Sequence, residues 1–157
     1  MRHAAAFSFI ELLVTLAIIS VLAASAFPLS EMSVRRAKEK ELREALWHIR
    51  DAIDAYKKAG DEGKILRQSD RSGYPASLET LVEGVPNAKD PSGGKLYFLR
   101  RIPRDPFSDD GSLPASKTWG KRSYDSPADA PREGKDVFDV YSLAEGRGLN
   151  GVPYREW

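Results

Sequence analysis

Two hydrophobic patterns follow each other at the start of the chain. Residues 7–29, FSFIELLVTLAIISVLAASAFPL, form an apolar run that carries one carboxylate, Glu11. About 23 residues at a rise of about 1.5 Å each give about 34 Å of helix, enough to cross a bilayer core of about 30 Å. A secretory signal would have a shorter apolar core closed by a small-residue cleavage site. Here the helical pattern continues past Ser30 and becomes one-sided, with Leu42, Ala45, Leu46, Ile49, Ala52, Ile53 and Tyr56 recurring at three- and four-residue steps. The opposite face is charged, with spacing-four pairs such as Glu31 with Arg35, Glu39 with Arg43 and Asp54 with Lys58. Pro28 interrupts the pattern at the end of the apolar run, where it either closes the span or kinks and locally melts the helix. Gly60 is the expected stop. The pattern predicts one long helix, spanning a membrane with its first half and burying a stripe against a soluble domain with its second.

Beyond the helix the pattern is broken. Residues 61–75 read as a polar loop with Gly63, Gly73 and Pro75, and Ser77 as N-cap of a short helix turns Leu78, Leu81 and Val82 inward. Gly84, Pro86, Pro91, Gly93 and Gly94 punctuate the next stretch, and residues 96–99 are too short a run to assign. Residues 118–123 and 137–142 read as two short strands separated by a connection containing Pro and Gly. The fold class is therefore α+β: a long N-terminal helix whose first half spans a membrane, packed on a small C-terminal antiparallel sheet with loops.

Composition narrows the chemistry. Lys and Arg number 24 against 23 Asp and Glu, so no net field calls for nucleic acid as a partner. With no cysteine there is no disulfide framework, thiolate nucleophile or zinc–cysteine site. The two histidines, His3 and His48, give histidine-centred catalysis little to work with. A separate class, a single-span membrane-anchored enzyme or binding domain, would have to draw on a carboxylate pair such as Asp109 and Asp110 for catalysis, and adjacent aspartates in such a loop are more often a turn. Glu11 is the more demanding residue. A lone carboxylate within a membrane helix costs about 2.5–3.5 kcal/mol on insertion scales, so it either snorkels to the interface, is protonated, or has a partner.

Residues 7–13, Phe7-Ser8-Phe9-Ile10-Glu11-Leu12-Leu13, resemble the prepilin processing site of type IV pilins and type II secretion pseudopilins. The resemblance implies a leader over residues 1–6, cleavage between Ala6 and Phe7 by a membrane prepilin peptidase, and N-methylation of Phe7. Glu11 is then fifth in the mature chain, pairing with the new amine of a neighbouring subunit. The family usually has Gly where this chain has Ala6. Pro28 falls where many pilins carry a proline and marks a segment that extends or unwinds in a filament. Small residues along the run, Ala17, Ser20, Ala23, Ala24 and Ala26, suit close helix packing and lipid exposure alike. Residues 100–107, RRIPRDPF, with Tyr74-Pro75 and residues 78–82, resemble segments of the major pseudopilin of type II secretion, with an extra polar loop over 108–117.

Residues 139–143, DVYSL, resemble that family's calcium loop, which implies a site built from Asp139, Ser142 and Leu143. Its second aspartate falls at Gly146, with Glu145 one residue away and Asp136 nearby. Oxygen donors close in sequence suit calcium, which takes six to eight of them.

What the resemblance implies is a structural subunit and not an enzyme. Its domains are the leader, a span over 7–29 in the bacterial inner membrane, and a periplasmic domain over 30–157. The implied partners are other copies of itself, minor pseudopilins, prepilin peptidase, the inner-membrane assembly platform and membrane lipid. A type IV pilin or competence pseudopilin is the alternative within the class, against which the absence of Cys and the stretch 101–106 weigh. The charge count points the other way on orientation. Arg35, Arg36, Lys38, Lys40 and Arg43 follow the span and only Arg2 precedes it, which by itself would keep the C-terminal part in the cytoplasm.

Overall fold

The computed structural model describes residues 8–66 and 72–157, with side chains outside 24–30. Helix α1 runs Phe9–Asp61, its first bond made from Leu12 N to Ser8 O at 3.2 Å. It passes through residue 28 without a break, so Pro28 neither ends nor melts the helix in this conformation: a proline removes only one backbone bond, and the turns around it keep theirs. The other elements are α2 (Glu79–Glu83), strands β1 (Val85–Pro86), β2 (Lys95–Leu96), β3 (Trp119–Arg122) and β4 (Asp139–Ser142), and 3-10 turns at Ala115–Lys117 and Tyr154–Glu156. The chain divides into two compact units between Ala37 and Lys38.

In the first unit, the large apolar side chains from Phe9 to Leu22 are all half or more exposed, Phe9 at 79% and Leu22 at 66%. The second unit begins at Lys38, and from there burial follows the helical period. Leu42, Ala45, Leu46, Ile49, Ala52 and Ile53 are buried and Tyr56 is half-buried, as the stripe predicts. They form one core with Leu78, Leu81, Trp119, Val137, Val140 and Tyr154. At about 1.5–3 kcal/mol for each fully buried Leu or Ile, this stripe is what holds the unit to its helix.

The helix stop is Gly63, not Gly60. Lys64 N bonds Ala59 O at 2.9 Å and Gly63 N bonds Gly60 O at 3.0 Å, the paired bonds of a Schellman ending, with Gly63 at φ +71°. Ser77 does not cap α2: its hydroxyl lies 3.3 Å from that of Thr80, and α2 begins from Leu78 with no side-chain cap. Strands β1 and β2 pair antiparallel, Val85 opposite Leu96 and Pro86 opposite Lys95. Strands β3 and β4 form a second antiparallel ladder, from Trp119 opposite Ser142 to Arg122 opposite Asp139. The described residues thus carry two separate two-stranded ladders where one small sheet was expected, and the α+β class with a long N-terminal helix and small antiparallel sheets, as in the type IV pilin-like fold, holds.

The tail packs back through its aromatics. Tyr154 is buried, stacked on Phe107 at 4.3 Å and edge-on to Trp157 at 5.2 Å. Gly148 lies where an added Cβ would meet the Trp157 ring at 2.2 Å, so the ring requires glycine there.

Candidate functional site

Of the N-terminal processing residues, Ala6 and Phe7 lie outside the described residues, and so does any pairing with the amine of Phe7. Glu11 stands exposed in the first turn of α1. Around it, the two hydroxyl side chains of residues 9–23 are both satisfied within the helix: Thr15 Oγ1 donates to Leu12 O at 3.0 Å and Ser20 Oγ to Leu16 O at 2.8 Å. Back-bonding of this kind suits surroundings without water, where every polar group must find a partner in its own segment. Glu11 is then the single ionisable group of residues 9–23. Among the described residues no helix is long and apolar enough to cross a membrane. The apolar stretch with described side chains ends at Ala23, short of the roughly 20 residues a span needs.

The four residues proposed for calcium are not brought together as a ligand set. Asp139 Oδ1 accepts from Arg50 Nε at 2.8 Å and from Val140 N at 2.8 Å, and its Oδ2 faces Arg122 Nη2 at 3.4 Å. Ser142 is fully buried and its hydroxyl is used on both sides, donating to Asp105 Oδ2 at 2.5 Å and accepting from Ala144 N at 3.1 Å. Leu143 and Glu145 are exposed, lining a hollow of about 530 Å³ that also presents Lys38 and Lys117. Among the described residues no three His, Asp or Glu side chains gather as a metal-holding group. The donor set therefore does not fit calcium: Asp139 carries two guanidinium groups, the Ser142 hydroxyl is committed elsewhere, Glu145 stands exposed on a hollow lined by two lysines, and residue 146 is glycine.

The Asp109–Asp110 pair is a turn. Asp110 Oδ1 accepts from Ser112 N at 2.9 Å and Ser112 Oγ at 2.6 Å, and the Ser112 hydroxyl holds its carboxyl below the ordinary value, the opposite of what a general acid needs. Arg104 pins the same loop through Leu113 O at 2.6 Å and Asp110 O.

Three buried carboxylates organise the second unit. Asp105, 1% exposed, opens a turn through Pro106: its Oδ1 accepts from Phe107 N at 2.8 Å, its main-chain oxygen from Ser108 N at 3.1 Å, and its Oδ2 reaches β4 through Ser142. The Asp-Pro dipeptide was the available signal, since Asp at the first and Pro at the second position is a preferred turn. Glu39 is buried on α1 and accepts from Leu149 N at 2.9 Å and from the Tyr154 hydroxyl at 3.0 Å, which ties the tail to the helix. Asp136 accepts from Ser72 Oγ, from Ser123 Oγ at 2.8 Å and from Tyr124 N at 2.9 Å. Spacing gave no warning of these two, because their partners lie far away in sequence.

Residues 1–27, a stretch that includes Ala6, Phe7 and Glu11, match the family described as the prokaryotic N-terminal methylation motif. The chain therefore carries a prepilin-type N-terminus, which supports a pilin- or pseudopilin-like protein that is exported and membrane-anchored. No curated protein and no solved structure matches the chain.

Proposed function

We propose that the chain is a structural pseudopilin subunit of a type II secretion machine. It is made with a leader over residues 1–6, cut between Ala6 and Phe7, methylated at Phe7, and held in the bacterial inner membrane by a single span over residues 7–29. The domain that follows lies in the periplasm. The assembly platform then draws the subunit, with other copies and minor pseudopilins, into a periplasmic filament that drives protein export. The observation that carries this reading is the N-terminal methylation motif over residues 1–27.

The physical chemistry of α1 supports it. Its first unit exposes apolar side chains over residues 9–22, a surface that water penalises and that lipid or neighbouring helices would cover. Glu11 is costly in lipid and gains most where a positive partner meets it, and cleavage before Phe7 creates such a partner in the terminal amine. The membrane is then a store of subunits, and the same helix becomes the core of the filament. Substitution Glu11→Ala separates assembly from folding. The thermal midpoint of the domain should stay unchanged while the yield of filaments sheared from cells falls at least tenfold. Filament yield equal to that of the unsubstituted protein would show that the carboxylate has no role in assembly.

A further inference from the structure

Asp139, the first residue of the loop that the resemblance assigns to calcium, is already paired with a cation belonging to the chain. Arg50, on α1, collects only oxygens: Nε donates to Asp139 Oδ1 at 2.8 Å, and Nη2 to Val140 O at 3.0 Å and to the main-chain oxygen of Trp157 at 2.7 Å. These acceptors come from β4 and from the tail, so one positive group ties three parts of the second unit. A second guanidinium, Arg122, faces the other oxygen of Asp139 from the paired strand β3 at 3.4 Å and stacks over Phe138 at 4.6 Å. Arg43, two turns before Arg50, lies over the Trp157 ring at 4.4 Å and holds the same tail by its aromatic face.

We propose that Arg50 does in this chain the work that a bound calcium ion would do: its guanidinium ties β4 and the tail to α1, and the loop over residues 139–146 folds and stays folded without divalent metal. The inference rests on the pilin-like reading for its expectation of calcium, and on the geometry alone for Arg50. A divalent ion and a guanidinium compete for the same acceptors, carboxylate and carbonyl oxygens, and a guanidinium fixed on a packed helix is present at no cost in bound ligand. For calcium to enter, Arg50 and Arg122 would both have to release Asp139, and Ser142 would have to leave the buried Asp105. Glycine at residue 146 offers no side-chain oxygen in return.

The test uses the full chain in detergent. Thermal melts in excess calcium chloride and in excess EGTA should give the same midpoint, and calorimetric titration with calcium chloride should give no saturable heat. Arg50→Ala should lower the midpoint by about 5 °C or more, and calcium should not restore it. Arg50→Lys, which keeps the charge but loses the fork, should fall between the two and serves if the alanine variant does not fold. A midpoint raised by calcium, saturable calcium heat, or an Arg50→Lys midpoint equal to that of the unsubstituted protein would each overturn the proposal. Cleavage of the same preparation by prepilin peptidase reports separately on the pilin-like reading, so either can fail while the other stands.

Discussion

Asp136 illustrates how single residues hold the second unit together. Burial pushes its carboxyl up, yet the donors Ser72, Tyr124 N and Ser123 more than offset this and leave it below the ordinary value of 3.8. A carboxylate lowered in the folded state contributes stability that is complete above its unfolded value and is lost as pH falls through the folded one. The thermal midpoint should therefore decline as the pH drops below about 4, and Asp136→Asn should make that decline shallower while costing about 1–3 kcal/mol at neutral pH. An acid profile unaltered by the substitution would remove Asp136 from the account. Apart from the Asp-Pro turn at Asp105, polar residues of this kind were hard to read in the sequence. Glu39 sat on the charged face of the helical pattern as half of a spacing-four pair with Arg43. In the folded chain the two lie 4.0 Å apart, and Glu39 is turned into the protein to receive Tyr154 and Leu149. Asp139 was read as an ion ligand from the resemblance of residues 139–143 to a calcium loop, and its partner Arg50, 89 residues away, left no local signal against that.

Among the elements, α1 was the most legible and its ending the least. Leu42, Ala45, Leu46, Ile49, Ala52 and Ile53 stand at helical spacing and are buried where that spacing puts them, since one apolar stripe has one way to face a core. Strands β3 and β4 fall within the two predicted segments, whereas β1 and β2 are two residues each and carry no period to read. At the end of α1, Gly60 was the expected stop, and only backbone geometry shows that Gly63 takes that place. Gly63 takes the left-handed conformation that an L side chain resists, so Gly63→Ala should destabilise the unit by about 1–2 kcal/mol in denaturant melts, whereas Gly60→Ala should have much less effect. Equal effects at the two positions would contradict the Schellman ending.

At the scale of the whole molecule, the chain joins two units made for different surroundings. The second has a buried core, tied polar groups and an interspersed surface charge, which is what water asks of a small domain. The first exposes apolar side chains over residues 9–22, satisfies the hydroxyls of Thr15 and Ser20 within the helix, and carries Glu11 as the one charge of residues 9–23. That contrast was visible in the sequence, where the apolar run gives way past Ser30 to a one-sided helical pattern, and the methylation motif over residues 1–27 supports a membrane-anchored, exported protein. The measurement that bears most directly on it is the intact mass of the protein produced with and without a prepilin peptidase. The account predicts that the peptidase removes residues 1–6 and leaves one added methyl on Phe7. A chain that keeps its N-terminus in the presence of an active peptidase would contradict it.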